Sequence, residues 1–544
     1  MKISAIMQRR NFIKSGGLAA LTIGVLSGSS CNVLAPAKTG AANAADSFEL
    51  NELSVLDLQE KMANKTYSCR SITELYLKRI ADIDQAGPQL HAVIELHPKA
   101  LEMADELDRE RAAGKVRGPL HGIPVLIKDN IDTGDGLLTT AGSLALSDNY
   151  QTEDAFIVKR LRDAGAVIIG KTNLSEWANF RSSRSTSAWS SRGGQTKNPY
   201  VLDRNPSGSS SGSGSAVAAN LCAMAIGTET DGSIISPASV NNLVGIKPTV
   251  GLWSRTGIIP ISKTQDTAGP MARNVTDAAI MLGALTGVDP QDPITQHSEG
   301  RFIQDYTTFL KADGLSGKRL GVEKSAFKRN AATDDLLNEA IRVLRSKGAI
   351  VTEVELNDTL KNAGDAEFTV LLYEFKAGLN DYLRSSKSKI KSLAALVAYN
   401  KAHEATMMPF FKQETLEKAL TKGGLKEKEY LDALEKSHVQ SKKAIDRLLA
   451  AHNLDAIIAP SNGFPVCIDL VNGDYDNGFY FSSAAAMAGY PHITVPMGSW
   501  HDLPMGLSFI GGAYAEPALL MLAFAYEQAS KKRTSPQFRP VVVS

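Results

Sequence analysis

The chain has 544 residues, 43% of them apolar and 22% charged, so its composition is that of a globular protein, which excludes wholesale disorder and a collagen-like repeat. Lys and Arg number 59 against 58 Asp and Glu, so the basic excess typical of nucleic-acid-binding proteins is missing and no nucleic-acid partner is expected. This length allows one large domain or several smaller ones.

The first 44 residues predict an export signal that is removed, leaving residues 45–544 as the mature domain. They contain five Lys or Arg residues and no Asp or Glu, which leaves a formal charge of −4 on the remainder. Arg9-Arg10 starts a twin-arginine pattern, and the apolar run from Leu18 to Leu26 is too short to span a bilayer. Ala42-Asn43-Ala44 and Ala35-Pro36-Ala37 are two candidate cleavage sites. We therefore expect an exported protein, periplasmic or secreted; a disordered or anchoring tail is the alternative.

Cysteine spacing and hydropathy argue against disulfides, zinc sites and membrane spans. Cys31 could carry a lipid anchor, but Gly28 stands where a lipobox usually has Leu. Beyond it, Cys69, Cys222 and Cys467 form an odd and widely spaced set, and neither C-x-x-C nor H-E-x-x-H occurs. No later stretch approaches about 18 uninterrupted apolar residues, so we expect no transmembrane segment in the mature chain.

Helix and strand patterns alternate after the export signal. Apolar residues recur at helical spacing over 156–164 and 336–344, and the two series end at Gly165 and Gly348. Continuous apolar runs typical of strands covered on both faces occupy 123–127, 166–169, 456–459 and 493–495. This alternation predicts an α/β sandwich.

A long region in the second half of the chain has a different composition. Between about 357 and 450 it is rich in Lys, Glu, Leu and Ala, with strong helix formers throughout, as over 431–449. We predict that this region forms a helical lobe inserted between strands of the sheet.

Lys128 directly follows the apolar run from Ile123 to Ile127. A lysine that continues a strand this apolar is expected to be at least partly buried, and desolvation favours its neutral form, which can accept a proton. Lys128 is therefore a candidate base. A strand-end lysine that reaches solvent is the alternative interpretation.

The segment from Asn205 to Ser233 has the most unusual composition. A Ser/Gly run leads into a small-residue helix, predicted at Ala216–Leu221, and a second turn rich in Gly and Ser, Gly227–Ser233, follows. Composition alone favours a flexible linker. The tight order of run, helix and turn instead favours two turns whose backbone amides can converge on an oxyanion.

This segment also fits a second, weaker pattern. Gly208–Gly212 matches G-x-S-x-G, the nucleophile elbow of α/β-hydrolases, with Ser210 as nucleophile. That elbow needs a strand just before it, and the residues that precede it, 201–206, make a poor strand. None of the nine histidines lies in a local motif that marks it as the base.

Several motifs, in this order along the chain, together resemble the amidase signature family. The matching segments are Gly122–Asn130, Lys171–Trp177, the Ser/Gly run Ser207–Ser215, Gly227–Ser233, Gly245–Thr249, Ala488–Pro496 and Gly506–Gly511. The resemblance spans roughly residues 50 to 530 and is weakest in the predicted helical lobe. It implies a single large α/β/α sandwich with a central mixed sheet, acting as an amide hydrolase without metal or cofactor.

The resemblance also implies the catalytic residues. Ser233 would be the nucleophile, Ser209 the bridging serine, whose peptide bond is cis in the family, and Lys128 the base. Attack by Ser233 on the amide carbonyl would give an acyl-enzyme, which water then hydrolyses. The oxyanion would be held by the backbone N–H groups of Thr230, Asp231, Gly232 and Ser233.

Two departures from the common family pattern bear on the substrate. Asp231 replaces a glycine and Ile235 replaces an arginine, and this variant resembles the bacterial peptide amidases of the family, which remove ammonia from the C-terminal carboxamides of peptides. Asp231 could accept a hydrogen bond from the NH2 of the substrate, or it could brace the turn.

Several alternatives remain open from the sequence. The same family includes amidases of small aliphatic or aryl amides, and the amidase component of tRNA-dependent amidotransferases, against which the export signal and Asp231 argue. An α/β-hydrolase-type esterase would use Ser210 and a histidine. An exported solute-binding protein, in which the Ser/Gly turns cradle an anion, is the alternative from outside the enzymes.

Overall fold

A mixed sheet of 11 strands runs through the computed structural model, which describes residues 48–475 and 477–542. The predicted export signal, residues 1–44, and Cys31 lie outside the described residues. In chain order the strands are β1 (Val93–Leu96), β2 (Pro124–Lys128), β3 (Val167–Thr172), β4 (Trp189–Ser190), β5 (Gly194–Gln195), β6 (Met224–Glu229), β7 (Val244–Lys247), β8 (Thr267–Ala272), β9 (Arg319–Glu323), β10 (Ile350–Val354), β11 (Ala456–Pro460), β12 (His492–Trp500) and β13 (Leu503–Ile510). β4 and β5 form a separate two-stranded sheet.

The order of strands in the large sheet is β1-β3-β2-β6-β8-β7-β12-β13-β11-β9-β10. β2 pairs in parallel with both β3 and β6, and β9 pairs in parallel with both β10 and β11, whereas the other pairs are antiparallel. The predicted α/β sandwich with a central mixed sheet is thus confirmed. All residues of β2, β3 and β6 are buried, as expected for strands covered on both faces.

Helices cover the sheet. They are α1 (Val55–Ala63), α2 (Cys69–Arg79), α3 (Ala100–Ala112), α4 (Phe156–Asp163), α5 (Ser211–Ala218), α6 (Ile235–Val240), α7 (Val275–Ala284), α8 (Ala331–Ser346), α9 (Gly364–Ser385), α10 (Leu393–Ala402), α11 (Glu404–Met407), α12 (Glu414–Leu420), α13 (Lys428–Leu434), α14 (Gln440–His452), α15 (Ser483–Ala488) and α16 (Glu516–Ser530). The helices predicted over 156–164 and 336–344 correspond to α4 and α8. No helix among the described residues is long and apolar enough to cross a bilayer.

The prediction for the helix after the Ser/Gly run was wrong in its bounds. The helix is α5, which begins at Ser211 inside the run, rather than Ala216–Leu221. Small residues permit this early start, because a Cβ at Gly212 would lie 2.3 Å from the carbonyl oxygen of Ala92. The helix ends before Asn220, whose positive φ of 57° turns the chain toward β6.

The region between β10 and β11 contains α9 to α14. Apolar residues of these helices, such as Leu379 and Leu396, form a separate buried cluster with Trp177, Phe180 and Ile261 from the sheet-bearing part. The helix expected over 431–449 is α13 and α14 joined by one π-helical turn, Glu435–Val439. The cluster places α9 against the segment that follows β3, close to the predicted active site.

Candidate active site

Lys128 is the last residue of β2, and its side chain is fully buried. The Nζ atom lies 2.7 Å from Oγ of Ser209 and 3.0 Å from Oγ of Ser210. It also lies 2.8 Å from Oγ1 and 3.1 Å from the carbonyl oxygen of Thr228. β2 and β6 are parallel neighbours, so Lys128 and Thr228 meet at the same edge of the sheet.

The environment of Lys128 favours the neutral amine. Burial lowers the pKa of Lys128 to about 7, although the negative charges of Glu229 and Asp266 oppose this shift. Oxygen atoms of hydroxyl and carbonyl groups surround Nζ, and no carboxylate of the described residues forms an ion pair with it. A large fraction of Lys128 is therefore able to accept a proton at neutral pH.

Ser209 contacts Lys128 and directly follows Gly208, which lines a cavity. Its side chain is fully buried, and the peptide bond Gly208–Ser209 is cis, as the resemblance implies. Its carbonyl oxygen accepts a hydrogen bond of 3.1 Å from the N–H of Ser175. Gly208 lines a cavity of about 410 Å³, so the buried hydroxyl of Ser209 is close to a space open to ligands.

Ser233 lies in the turn between β6 and α6 and lines the same cavity. It is 8% exposed, and its carbonyl oxygen accepts a hydrogen bond of 3.1 Å from the N–H of Ser210. The adjacent Gly232 has a φ of +71°, and a Cβ there would lie 1.7 Å from the hydroxyl of Tyr480. This turn therefore requires glycine before the serine, for reasons of both conformation and space.

The backbone of this turn also presents free donors. The N–H groups of Asp231 and Ser233 have no hydrogen-bond partner within the part of the chain that the structure describes. The carboxylate of Glu229 accepts hydrogen bonds of 2.8 and 3.0 Å from the N–H groups of Ile234 and Ile235. Glu229 thus ties down the start of α6, and the N–H groups of Asp231 and Ser233 remain available for an oxyanion.

The elbow interpretation of Ser210 fails in the structure. Ser210 is fully buried, and its hydroxyl donates to the carbonyl oxygen of Thr228 at 3.0 Å. It also accepts from the N–H of Thr228 at 3.1 Å and contacts Lys128. Its hydrogen-bond partners among the described residues include no histidine, and no strand precedes it directly.

Comparison with known proteins decides the family. The family described as Amidase matches residues 71–520. The peptide amidase of Stenotrophomonas maltophilia is 50% identical, covers 90% of this chain and 99% of its own, and superposes with a TM-score of 0.87. A probable amidase of Arabidopsis thaliana is 44% identical over 90% of this chain and 92% of its own. A putative amidase of Schizosaccharomyces pombe is 37% identical over 90% of this chain and 87% of its own.

The chain belongs to the amidase signature family. It is an amidase, a hydrolase that acts on amide C–N bonds, and not a solute-binding protein. No group of three or more His, Cys, Asp or Glu residues in the described chain is arranged to hold a metal ion.

Asp231 of the amidase is held by two hydroxyl groups. Ser483 donates to Oδ2 at 2.7 Å, and Tyr480 donates to Oδ1 at 3.2 Å. Tyr480 also lies 3.0 Å from the carbonyl oxygen of Asp231. Burial raises the pKa of Asp231 to about 6, and the nearby charge of Glu229 adds to this. The bracing contact exists, and Asp231 also lines the cavity.

Sequence reasoning missed several residues that shape this site in the amidase. Asn130, Thr228, Glu229 and Lys247 stand within motifs that carried the resemblance, although no pattern assigned them a role. Lys247 is fully buried near Glu229, and burial lowers its pKa to about 8. Tyr480, Ser483 and Glu367 lie outside every motif, and only their contacts reveal them.

The lining of the cavity in the amidase is polar but contains no Lys or Arg side chain. Side-chain amides and hydroxyls lie around Ser233, together with two carboxylates, those of Asp231 and Asp474. Phe180, Ile261 and Leu371 provide an apolar patch. Such a lining suits a neutral, amide-rich ligand and offers no counter-charge for a carboxylate.

Proposed function

We propose that this amidase removes ammonia from the C-terminal carboxamide of peptides. The 2.7 Å contact between the buried Lys128 amine and Ser209, beside the cavity-lining Ser233, carries the proposal. The substrate class is supported by the polar cavity without cationic side chains and by the 50% identity to a peptide amidase over nearly the whole of both chains.

In the proposed reaction, Ser233 attacks the amide carbonyl as its proton passes to Ser209 and the proton of Ser209 passes to neutral Lys128. The carbonyl oxygen becomes an oxyanion, which accepts hydrogen bonds from backbone N–H groups of the turn. The candidate donors are Thr230, Asp231, Gly232 and Ser233, and Asp231 and Ser233 are the leading ones because their N–H groups are free within the described part of the chain. Lys128 then returns the proton through Ser209 to the leaving nitrogen, and the C–N bond breaks to release ammonia. Water, deprotonated by the same route, attacks the acyl-enzyme and frees the peptide acid.

Asp231 has a proposed role in recognition. Ser483, Tyr480 and the buried carboxyl of Glu367 form hydrogen bonds with this carboxylate, whose two oxygens together carry about four lone pairs. We propose that one of these lone pairs accepts an N–H of the substrate NH2. The bracing by Tyr480 and Ser483 then serves to aim this carboxylate.

Mass spectrometry tests this function. One peptide prepared as the C-terminal carboxamide and as the free acid is incubated with the purified protein, beside a panel of small aliphatic and aryl amides. We expect conversion of the amidated peptide to the acid with release of one ammonia, and no change in the free-acid peptide. Faster turnover of the small amides than of any peptide amide would contradict the proposed substrate class.

We also propose that the protein is exported, on the basis of the pattern in residues 1–44. Cell fractionation of the full chain, beside a variant in which Arg9 and Arg10 are replaced by lysine, tests this. We expect the mature protein in the periplasm or medium, and the variant inside the cell with its signal intact. Labelling of Cys31 by a lipid would instead indicate an anchored protein.

A further inference from the structure

The hydroxyl group of Thr228 lies between Lys128 and a neutral amide. Its Oγ1 is 2.8 Å from Nζ of Lys128 and 3.0 Å from Nδ2 of Asn130. All three side chains are buried. Asn130 follows Lys128 by two positions in the chain, so the base and this amide are placed by the same strand end.

The direction of each hydrogen bond at Lys128 matters for its role. A neutral amine has two N–H donors and one lone pair, and it can act as base toward Ser209 only if the lone pair faces Oγ of Ser209. Both N–H groups must then find acceptors elsewhere. The carbonyl oxygen of Thr228 can only accept, and Ser210, whose hydrogen already goes to that carbonyl, can likewise only accept from Lys128.

The Thr228 hydroxyl is the one neighbour whose direction is not fixed by these contacts. If its hydrogen points to Nζ, it competes with Ser209 for the single lone pair of Lys128. When Nδ2 of Asn130 donates to Oγ1, the Thr228 hydroxyl has no acceptor on Asn130. Its hydrogen is then left to point to Nζ of Lys128. At the same time, Oδ1 of Asn130 is buried without a hydrogen-bond partner among the described residues.

We propose that Asn130 is a positioning residue for the base: its side-chain amide turns so that Oδ1 accepts from the Thr228 hydroxyl. The Thr228 hydroxyl oxygen then acts only as an acceptor toward Lys128, and it shares the two N–H groups of the neutral amine with the Thr228 carbonyl oxygen and Ser210. The hydrogen bonds run in one direction from Ser209 through Lys128 and Thr228 to Asn130, and the lone pair of Lys128 is left to Ser209. This inference rests on the proposed function. This rotation of the Asn130 amide also gives the buried Oδ1 the hydrogen-bond partner that it lacks.

The surroundings of Asn130 accommodate the turned amide. Asn130 lines a second cavity, of about 300 Å³, in which water can accept the N–H groups of Nδ2. The charged groups that face Lys128 are Glu229 and Asp266, which both favour the ammonium form. A neutral amide directs the Thr228 hydroxyl without adding a third negative charge, and so it leaves the amine able to accept a proton.

The experiment compares Asn130→Asp with Asn130→Ala. Aspartate keeps an acceptor for the Thr228 hydroxyl, and alanine removes it. On the alkaline plateau of kcat/KM we expect Asn130→Ala to lose about 10- to 100-fold, and Asn130→Asp to retain at least about tenfold more activity than Asn130→Ala. The acid limb of Asn130→Asp should move to higher pH, because its carboxylate favours the ammonium form of Lys128.

A second pair of variants tests the middle of the chain. Thr228→Val should lower kcat/KM on the alkaline plateau more than about tenfold. It should also move the acid limb of the pH profile to lower pH, since the ammonium form of Lys128 loses an acceptor. Thr228→Ser, which restores the hydroxyl, should recover most of the loss. The pKa of Lys128 is measured in parallel by NMR titration of lysine labelled with carbon-13 at Cε, which needs no turnover.

Three outcomes would overturn the inference. The first is a kcat/KM of Asn130→Ala within about twofold of that of the parent protein, and the second is a folded Asn130→Asp that is no more active than Asn130→Ala. The third is a pKa of Lys128 that changes in neither Asn130→Asp nor Thr228→Val. If the parent protein hydrolyses no amide but the NMR pKa moves as expected in both variants, the proposed function fails and the hydrogen-bond chain stands.

Discussion

Nζ of Lys128 lies 2.7 Å from Oγ of Ser209, although 81 positions separate the two residues in the chain. The strand that carries Lys128 is buried on both faces, so its amine meets Ser209 away from the protein surface and without a carboxylate partner among the described residues. Desolvation thus produces an amine whose pKa is near neutrality, and the contact with Ser209 is the first link of the proposed proton route.

The first prediction concerns pH. Only neutral Lys128 accepts a proton, and its pKa is about 7. The rate should therefore be highest above pH 7 and fall about tenfold for each pH unit below it, since protonation removes the base. Measurement of kcat/KM for a peptide amide between about pH 5 and pH 9 checks this. A rate that stays constant down to the acid end would contradict the role of Lys128.

The second prediction separates the two candidate nucleophiles. Ser233→Ala should lower kcat by about 10⁴-fold or more and abolish the acyl-enzyme, because the attacking oxygen is removed. Ser210→Ala, which removes one neighbour of Lys128, should slow the reaction but still form the acyl-enzyme. Mass spectrometry of the protein after rapid quenching detects the adduct. Loss of the adduct in Ser210→Ala alone would overturn the assignment of Ser233.

The third prediction concerns the turn before Ser233. Gly232→Ala should lower kcat/KM about 100-fold, because a Cβ 1.7 Å from the Tyr480 hydroxyl displaces Ser233, the proposed nucleophile, and the neighbouring N–H donors. The free energy of unfolding should fall by about 1–3 kcal/mol from the positive φ. Gly424→Ala is the matched control, since a Cβ there meets no atom within 4 Å. Kinetics and urea denaturation of both variants provide the test, and an active Gly232→Ala would contradict the geometry.

The fourth prediction tests the proposed contact of Asp231 with the substrate. Asp231→Asn keeps the size of the side chain but weakens acceptance of the substrate NH2, so kcat/KM for a peptide carboxamide should fall about 10- to 100-fold. The methyl ester of the same peptide has no NH2 and should be affected much less. An equal loss for amide and ester would show that Asp231 only braces the turn.

The fifth prediction concerns stability where the helices between β10 and β11 meet the rest of the protein. Arg181 is buried, pairs with Glu176 at 2.7 Å and donates to the carbonyl oxygen of Phe411 at 2.8 Å. Arg181→Met leaves the buried carboxylate of Glu176 without its counter-charge and should lower the free energy of unfolding by about 3–5 kcal/mol. Arg384→Met, at a largely exposed pair with Asp381, should change it little. Denaturant titrations compare the two, and equal losses would contradict this reasoning.

Local pattern was enough to predict several elements. A buried strand ending at Lys128 follows from its continuous apolar run, and the helix that stops before Gly165 follows from spacing and a glycine with a φ of +82°. The start of α5 was beyond such reasoning, because serine and glycine have low helix propensity and only close packing against Ala92 and Asn173 explains it.

The sequence by itself determined the α/β class, the buried strand that ends at Lys128 and, through its motifs, the family resemblance and the three residues of the proposed proton route. It could not place Tyr480 and Ser483 on Asp231, or Thr228 between Lys128 and Asn130. Those contacts join segments up to 252 positions apart, and their geometry depends on the order of strands in the sheet and the path of the loops. Burial from local hydrophobicity can be read along a chain, but the direction of a hydrogen bond is decided only when distant groups meet.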